Sequence, residues 1–199
     1  NIKIELKLNN DDIIYKMDNS RDELNFHVLR TTRARQFETL NEIVSRKEKE
    51  GVFLDASAGI VFTMHRNAAL GCFPLEQDFI KNNPNIKTGV FCGEEPTEWT
   101  SPKHLNKIIS FEDYKNTVQK EFKENNLALM FATKAFGMGI NKSNIRFSIH
   151  YGMPSSLESL YQEAGRTGRD GKKADNFILF TDEKKQIPDK VFEKKTNIE

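Results

Sequence analysis

Short apolar runs that alternate with segments of helical period constrain the fold more than any other feature of this sequence. The runs at 59–63, 127–132 and 177–180 are nearly continuous in apolar residues, which is typical of strands covered on both faces. The segments between these runs have apolar residues spaced by three and four, which is the period of a helix, as in the segment that follows Ser110. Strands that alternate with helices predict an α/β fold in which a parallel sheet carries helices on both faces.

The remaining elements follow from the same periodicities and from the residues that start and end helices. Further strands are predicted at 24–30, 86–91 and 145–150. The predicted helices run from Ala34 to about Lys49, within 66–83 with Pro74 near the start, from a capping box at Ser110, and from a second capping box at Ser155 to Gly165. Together these elements describe one alternating α/β unit.

The segment 93–110 has no sustained period and contains three glutamates and two prolines. It is longer than usual connections between a strand and a helix. We therefore expect an exposed, mobile loop that folding does not require. Trp99 complicates this expectation, because an indole in a loop usually packs against something or marks a contact site.

The length of 199 residues suits one domain. We expect a connecting segment at 1–20, the domain at 21–181 and a charged tail at 182–199. Because the sequence opens with Asn1 rather than Met, we expect it to be a piece of a longer protein. No apolar stretch approaches the roughly 20 residues that a membrane span needs, so no membrane partner is expected.

Charge and cysteine content exclude several classes of protein. Thirty Lys and Arg against 29 Asp and Glu give a formal net charge of +1, so any nucleic-acid site must be local. Cys72 and Cys92 form no C-x-x-C pair and have no histidine at ligand spacing, so no metal site is expected. Isolated thiols favour a reducing, intracellular location, either cytoplasmic or nucleoid-associated, or nuclear in a eukaryote.

Two glycine-bearing loops hold the residues best suited to chemistry. Ligands of parallel sheets bind at the carboxyl ends of the strands, where we expect both loops. In the loop 133–142, glycines let backbone amides approach a phosphate or a sugar, although an ordinary glycine turn has the same pattern. In the loop 162–171, Arg166 and Arg169 offer planar donors to phosphate oxygens, although a solvated surface pair is the alternative.

Residues 131–171 resemble motifs V and VI of the RecQ family of ATP-dependent DNA helicases in sequence, order and spacing. Weaker similarity reaches the family's entry strand at 21–30, its motif IV at 59–66 and the helix before motif V at 119–127. The resemblance implies the second of two RecA-like motor domains. In this family ATP and Mg²⁺ are held mainly by the first domain. Its P-loop pattern G-x-x-x-x-G-K-[ST] and acidic pattern D-E-x-H do not occur in this sequence.

The resemblance implies three catalytic assignments. Arg169 matches the arginine finger on the γ-phosphate, Arg166 the neighbouring arginine, and Gln162 a supporting residue. It therefore implies a motor domain that helps ATP-driven 3′ to 5′ unwinding of DNA, alongside the first domain of the same protein. Two alternatives are a non-hydrolysing nucleic-acid or protein binding module and a doubly wound domain for another phosphorylated ligand. The intact arginine pair favours the enzyme, although this sequence alone is expected to be inactive.

Further assignments concern the nucleotide and the DNA. Expected near the nucleotide are Gly137, Gly139 and Asn141, the last facing the ribose. Expected to contact the DNA backbone are Thr133, Lys142 and Arg66, on the face formed by the strand ends. The sequence departs from the family at Cys92-Gly93-Glu94, where a His-x-Gly turn is usual, and at Thr63-Met64-His65. We expect His65, His104 and His150 to have only structural roles.

Overall fold

A computed structural model describes residues 21–67, 70–101, 109–137 and 141–181. The strands are β1 (Leu24–Arg30), β2 (Ala58–Phe62), β3 (Thr88–Phe91), β4 (Leu129–Ala132), β5 (Ile145–His150) and β6 (Ala174–Phe180). The helices are α1 (Gln36–Lys49), α2 (Cys72–Asn82), α3 (Phe111–Lys123) and α4 (Leu157–Ala164), and a 3₁₀ turn spans Lys134–Gly137. Strands and helices alternate along these ranges, as the periodicity predicts.

The strands form one sheet in the order β1-β6-β5-β2-β4-β3, and every neighbouring pair is parallel. Asp175 of β6 bonds to Lys47 of α1, whereas the next residue, Asn176, bonds to Thr167, just after α4. Successive residues of a strand point to opposite faces, so α1 and α4 cover opposite faces of the sheet. The predicted α/β architecture is confirmed.

The central strands are buried because their apolar runs are covered on both sides. Every residue of β2 and β4 is buried. Gly59 of β2 permits a close approach, since a Cβ built there would lie 2.2 Å from a ring carbon of Phe147 on the neighbouring β5. Any side chain at position 59 would therefore have to displace the Phe147 ring.

β6 begins at Ala174, three residues before the predicted start at 177. The start of the strand contains a polar residue, Asp175. Its carboxylate accepts hydrogen bonds from Lys47 Nζ at 2.5 Å and from Asn25 Nδ2 at 3.2 Å. Both partners lie more than a hundred residues away in the sequence. The prediction missed this part of the strand because it relied on continuous apolar residues.

Serine caps begin two of the helices. Ser110 Oγ accepts a hydrogen bond from the Asp113 amide at 3.1 Å, which confirms the capping box before α3. At α4 the cap is Ser156, whose Oγ accepts from the Ser159 amide at 3.0 Å. The predicted cap at Ser155 was therefore one residue early, while the end at Gly165 is confirmed.

The segment after β3 is a loop whose described residues are mostly exposed, as predicted, but it packs Trp99 against the core. Trp99 lies 4.5 Å from the ring centroid of Tyr114 and 5.0 Å from that of Phe111. Asn67 and Thr97 exchange two hydrogen bonds, at 2.9 and 3.0 Å, that hold this segment to the loop after β2. The predicted exposure of 93–110 is confirmed for most of the residues at 93–101, whereas Trp99 packs against the core. Residues 102–108 lie outside the described part of the chain, and the expectation that folding does not require the segment stays a prediction.

The predicted connecting segment at 1–20 and the predicted tail at 182–199 also lie outside the described residues. The domain limits therefore stay a prediction. Among the helices that the structure describes, none combines the length and the apolar character needed to cross a bilayer.

Candidate nucleotide and nucleic-acid interface

The loop that carries the two arginines lies at the amino edge of the sheet, not at the predicted carboxyl edge. The Gly168 amide donates to the carbonyl of Ile145, the first residue of β5, at 2.9 Å. The reason is topological: α4 carries the chain back from the end of β5 to the start of β6 before this loop begins. We call residues 165–171 the arginine turn.

Two glycines give the arginine turn its shape. Gly168 and Gly171 have φ angles of +62° and +77°, which favour glycine. At Gly168 the space is also closed, since a Cβ would lie 2.9 Å from the carbonyl oxygen of Lys172. This tight path places Arg166 and Arg169 at one edge of the sheet.

An ion pair fastens the arginine turn to β5. Arg146 Nη1 donates to Asp170 Oδ1 at 3.0 Å, and Nη2 contacts Oδ2 of the same carboxylate. The hydrogen bond from Arg146 holds the pKa of Asp170 below its usual range, although burial opposes the shift. Asp170 therefore stays ionised and keeps the turn attached to the sheet.

The structure brings together two of the predicted nucleotide contacts. Arg169 Nη1 lies 3.3 Å from Asn141 Oδ1, and Arg169 Nε donates to the Gly165 carbonyl at 3.4 Å. Both side chains are exposed, so they can turn towards a ligand. Gly137 ends the 3₁₀ turn after β4, whereas Gly139 lies outside the described residues.

The electrostatics of the arginine turn suit a polyanion. Burial lowers the pKa of Arg166, and the positive charge of Arg169 lowers it further, while Glu163 opposes the shift. Arg166 nevertheless remains charged near neutral pH, because an arginine starts from a very high pKa. Two guanidinium groups that repel each other are stabilised when a triphosphate lies between them.

Gln162 lies apart from this arrangement. It is exposed on α4, and its Nε2 donates along the helix to Glu158 Oε1 at 3.2 Å. In this conformation its amide is turned away from the arginines. Its supporting role stays a prediction.

The carboxyl edge of the sheet carries a separate cleft of about 190 Å³. Its walls include Thr63, His65, Lys134 and Ser155, and its floor includes His150 and Glu163. We call it the carboxyl-edge cleft. Because it offers a lysine and several hydroxyl and imidazole groups, it can bind the backbone of a nucleic acid.

Two of the predicted DNA contacts lie at this edge. Thr133 directly follows β4, and its amide donates to the Phe91 carbonyl at 3.2 Å. Arg66 lies beyond the end of β2 and forms an ion pair with Glu94. Glu94 belongs to the Cys92-Gly93-Glu94 departure, so this departure places a carboxylate on a predicted phosphate contact.

Lys142 lies at the opposite edge from its predicted place. It precedes β5, is buried, and donates through Nζ to Asn125 Oδ1, before the start of β4. Burial lowers the pKa of Lys142 to about 8. Its predicted location on the face of the carboxyl ends was wrong, because Lys142 lies just before β5 and contacts Asn125, which precedes β4, so it belongs to the amino edge.

A set of buried polar residues was missed at the sequence level. His150 Nδ1 lies 2.9 Å from Glu163 Oε2, and its Nε2 lies 3.2 Å from Ser148 Oγ. The signal was present as polar residues at every second position of β5, beginning at Arg146. Such alternation inside a buried strand indicates polar side chains that share one face.

The wholly parallel six-stranded sheet with helices on both faces has the RecA-like fold of helicase domains. Residues 36–171 match the helicase conserved C-terminal domain, and the chain belongs to that family. Within it, the resemblance to RecQ helicases is confirmed by relatives that share up to about half of the aligned residues.

Two curated relatives and one solved structure illustrate the similarity. The ATP-dependent DNA helicase RecQ of Bacillus subtilis is 34% identical over 162 residues, which cover 81% of this chain and 22% of the relative. That of Pasteurella multocida is 48% identical over 118 residues, 54% of this chain and 19% of the relative. A DEAD box protein from Methanococcus jannaschii has a TM-score of 0.59 at 20% identity, over 81% of this chain and 37% of that one, and shares the fold. The chain thus spans about a fifth of the length of these two curated relatives.

Proposed function

We propose that this chain is the second motor domain of an ATP-dependent DNA helicase and completes the site for ATP hydrolysis. The observation that carries the proposal is the arginine turn, where Arg166 and Arg169 lie together and Arg169 contacts Asn141. The names of the RecQ relatives support ATP as the substrate and DNA as the partner.

In this proposal the first motor domain of the same protein binds most of the ATP and Mg²⁺. When bound, ATP supplies the γ-phosphoryl group that is transferred to water, and in the transition state negative charge is spread over the oxygens of this group. Arg169 donates to the γ-phosphate oxygens and Arg166 binds the adjacent phosphates, while Asn141 hydrogen-bonds to the ribose. Asp170, held by Arg146, keeps the turn in place while this happens.

The carboxyl-edge cleft is proposed to hold the DNA backbone. Thr133, Lys134 and Arg66 supply contacts that are blind to sequence. Two sites at opposite edges of one sheet suit a motor domain whose contacts with DNA change while ATP is hydrolysed. The 3′ to 5′ direction is proposed from the RecQ relationship alone.

A binding module that has lost hydrolysis is the second candidate. It accounts for the cleft but gives no reason for two like charges that repel each other at the amino edge. Two neighbouring guanidinium groups suit contact with the phosphates of a nucleotide, so the arginine turn favours hydrolysis.

The test is Arg169→Ala in the full-length protein, measured by DNA-stimulated ATP hydrolysis and by DNA affinity. Hydrolysis should fall by about 10³–10⁵-fold, as for other arginine fingers, with DNA affinity unchanged. Arg169→Lys should rescue little, because an ammonium lacks the planar pair of donors. The matched control is Arg35→Ala, an exposed arginine at the start of α1 that pairs with Glu38.

Retention of more than about a tenth of the parent turnover by Arg169→Ala would reject the finger assignment, given that range. Full-length protein that binds DNA but shows no ATP hydrolysis would instead favour the binding module.

A further inference from the structure

A continuous network of buried polar side chains connects the two edges of the sheet. It runs from Glu163 through His150, Ser148 and Asn176 to Thr167 in the arginine turn. Glu163 Oε2 lies 2.9 Å from His150 Nδ1, and His150 Nε2 lies 3.2 Å from Ser148 Oγ. Ser148 Oγ donates to Asn176 Oδ1 at 2.7 Å, and Thr167 Oγ1 lies 3.2 Å from the same oxygen. We call these five residues the buried polar network.

The two ends of the network belong to different candidate sites. His150 and Glu163 form the floor of the carboxyl-edge cleft. Thr167 lies between Arg166 and Arg169 in the sequence, and its hydroxyl shares one proton between Asn176 Oδ1 at 3.2 Å and the Ala164 carbonyl at 2.8 Å. The network therefore joins the proposed DNA site to the proposed ATP site through the interior.

Stability alone does not account for these residues. Ser148, Asn176 and Thr167 are fully buried, and His150 is 1% exposed. Replacing both partners of such a hydrogen bond by apolar side chains of similar shape costs little, because a satisfied buried hydrogen bond gives only a modest net gain in stability. In a connected polar network, hydrogen bonds fix the orientation of each side chain and its distance from the next. A side chain that moves therefore shifts its neighbours.

The strand register gives the network a rigid middle. Ser148 and Asn176 are paired residues of β5 and β6, so backbone hydrogen bonds hold their side chains next to each other. The His150 ring stacks on Phe62 at 5.4 Å between centroids, at the end of β2 beside the cleft. A movement of the His150 ring can therefore be transmitted through the hydrogen bonds of Ser148 and Asn176 to Thr167.

We propose that His150, Ser148 and Asn176 are positioning residues that couple binding of a single-stranded nucleic-acid backbone in the carboxyl-edge cleft to the geometry of the arginine turn. This inference rests on the proposed function. In it, backbone phosphate contacts in the cleft fix His150 and Glu163, and the network passes that position through Ser148 and Asn176 to Thr167. Arg166 and Arg169 are then aligned for hydrolysis only when the cleft is occupied.

Ser148→Ala in the full-length protein tests the coupling, because it removes the middle hydroxyl and leaves both ends in place. ATP hydrolysis is measured with and without saturating oligothymidylate, together with oligothymidylate affinity and thermal stability. The stimulated kcat should fall by about 3- to 10-fold, the range that one hydrogen bond controls, while unstimulated kcat and affinity stay unchanged. Ser148→Thr, which keeps the hydroxyl, should restore stimulation.

The matched control is Ser57→Ala, which removes another buried serine hydroxyl, before β2 and outside the network. Equal stimulation in Ser148→Ala and Ser57→Ala would overturn the inference and leave the proposed function standing. A parallel loss of stimulated and unstimulated hydrolysis in Ser148→Ala would also overturn it, since that pattern indicates general destabilisation. Absence of DNA-stimulated hydrolysis in the unsubstituted protein would overturn the proposed function and the coupling together.

A second measurement needs no substitution and so does not depend on the folding of a variant. Amide hydrogen exchange of the arginine turn is compared in the full-length protein with and without oligothymidylate. Slower exchange at 165–171 on binding supports the coupling. Exchange that does not respond to saturating oligothymidylate overturns it.

Discussion

At the scale of single residues, Glu94 determines what Arg66 can contact. The two side chains form an ion pair, and Glu94 is the more exposed partner. A phosphate that approaches Arg66 must therefore displace a carboxylate.

Replacing Glu94 should therefore strengthen DNA binding. In the full-length protein, Glu94→Gln should raise affinity for single-stranded DNA by about 1.5- to 5-fold, as expected for the loss of one exposed ion pair of 0.2–1 kcal/mol. Fluorescence anisotropy at several salt concentrations measures it, and the salt slope should steepen. Glu95→Gln makes the same charge change in an exposed neighbour. An equal gain in both variants would show a general charge effect and not release of Arg66.

Asp175 is the second residue with a testable energetic role. Burial raises its pKa, but hydrogen bonds from Lys47, His27 and Asn25 outweigh burial and lower it to about 2. A carboxylate with a lowered pKa stabilises the fold above its unfolded value near 4, and this contribution is lost as pH falls towards 2.

Asp175→Asn should therefore lower the free energy of unfolding at pH 7 by about 1.5–3 kcal/mol, typical of hydrogen bonds to charged groups. Urea denaturation across a pH series measures it, and the difference from the parent should shrink between pH 4 and pH 2. Asp78→Asn is the control, because Asp78 and its partner Lys81 are both well exposed. A pH-independent difference would contradict the assignment to Asp175 ionisation.

At the scale of elements, the segment after β3 acts as part of the core. Trp99 packs between Phe73, Phe111 and Tyr114, and so joins α2 to the start of α3. The Tyr114 hydroxyl in turn accepts a hydrogen bond from the Val90 amide on the edge strand β3, at 3.1 Å. The segment thus supports the exposed edge of the sheet.

Trp99→Ala should lower the free energy of unfolding by about 2 kcal/mol, less than the 3–5 kcal/mol of fully buried aromatic residues, because Trp99 is half-buried. The melting temperature should fall by about 4–8 °C. Circular dichroism measures it, since Trp99 is the only tryptophan and its variants lose the fluorescence signal. Trp99→Phe, which keeps a ring, is the control. An unchanged melting temperature for Trp99→Ala would restore the original expectation of a dispensable loop.

Elements were predictable where their signals are local. The apolar runs of β2 and β4 and the cap at Ser110 depend on neighbouring residues, and all three were predicted. The polar start of β6 was not, because Asp175 is stabilised by Lys47, 128 residues away. That Trp99 would pack against something was anticipated, but its partners were not, since they lie on either side of it in the sequence.

The candidate site was predicted unevenly. Motif resemblance identified Arg166, Arg169 and Asn141, but residue type alone could not place the arginine turn at an edge of the sheet. That placement needed the rule that a helix of a parallel sheet returns the chain to the amino edge. The buried polar network was missed because Ser148 and Asn176 become neighbours only through strand pairing.

At the scale of the whole molecule, the sheet separates the two proposed sites, which lie at its opposite edges. The arginine turn presents positive charge at the amino edge without any P-loop pattern in the sequence. The carboxyl-edge cleft provides a few local contacts in a chain whose formal net charge is only +1. Under the proposed function, each site would contribute specific groups to a larger assembly and would bind its ligand weakly alone.

The present chain alone should therefore bind ATP weakly and should not hydrolyse it. A P-loop supplies the backbone amides and the lysine that bind most of the triphosphate, and two arginines replace only a part of those contacts. Isothermal titration with ATP and Mg²⁺, combined with a phosphate-release assay, measures both properties. Arg169→Ala in the same chain is the control, since any residual binding through the arginine turn should decrease in it. Micromolar affinity with turnover would contradict the prediction and would require a triphosphate site that the arginine turn does not provide.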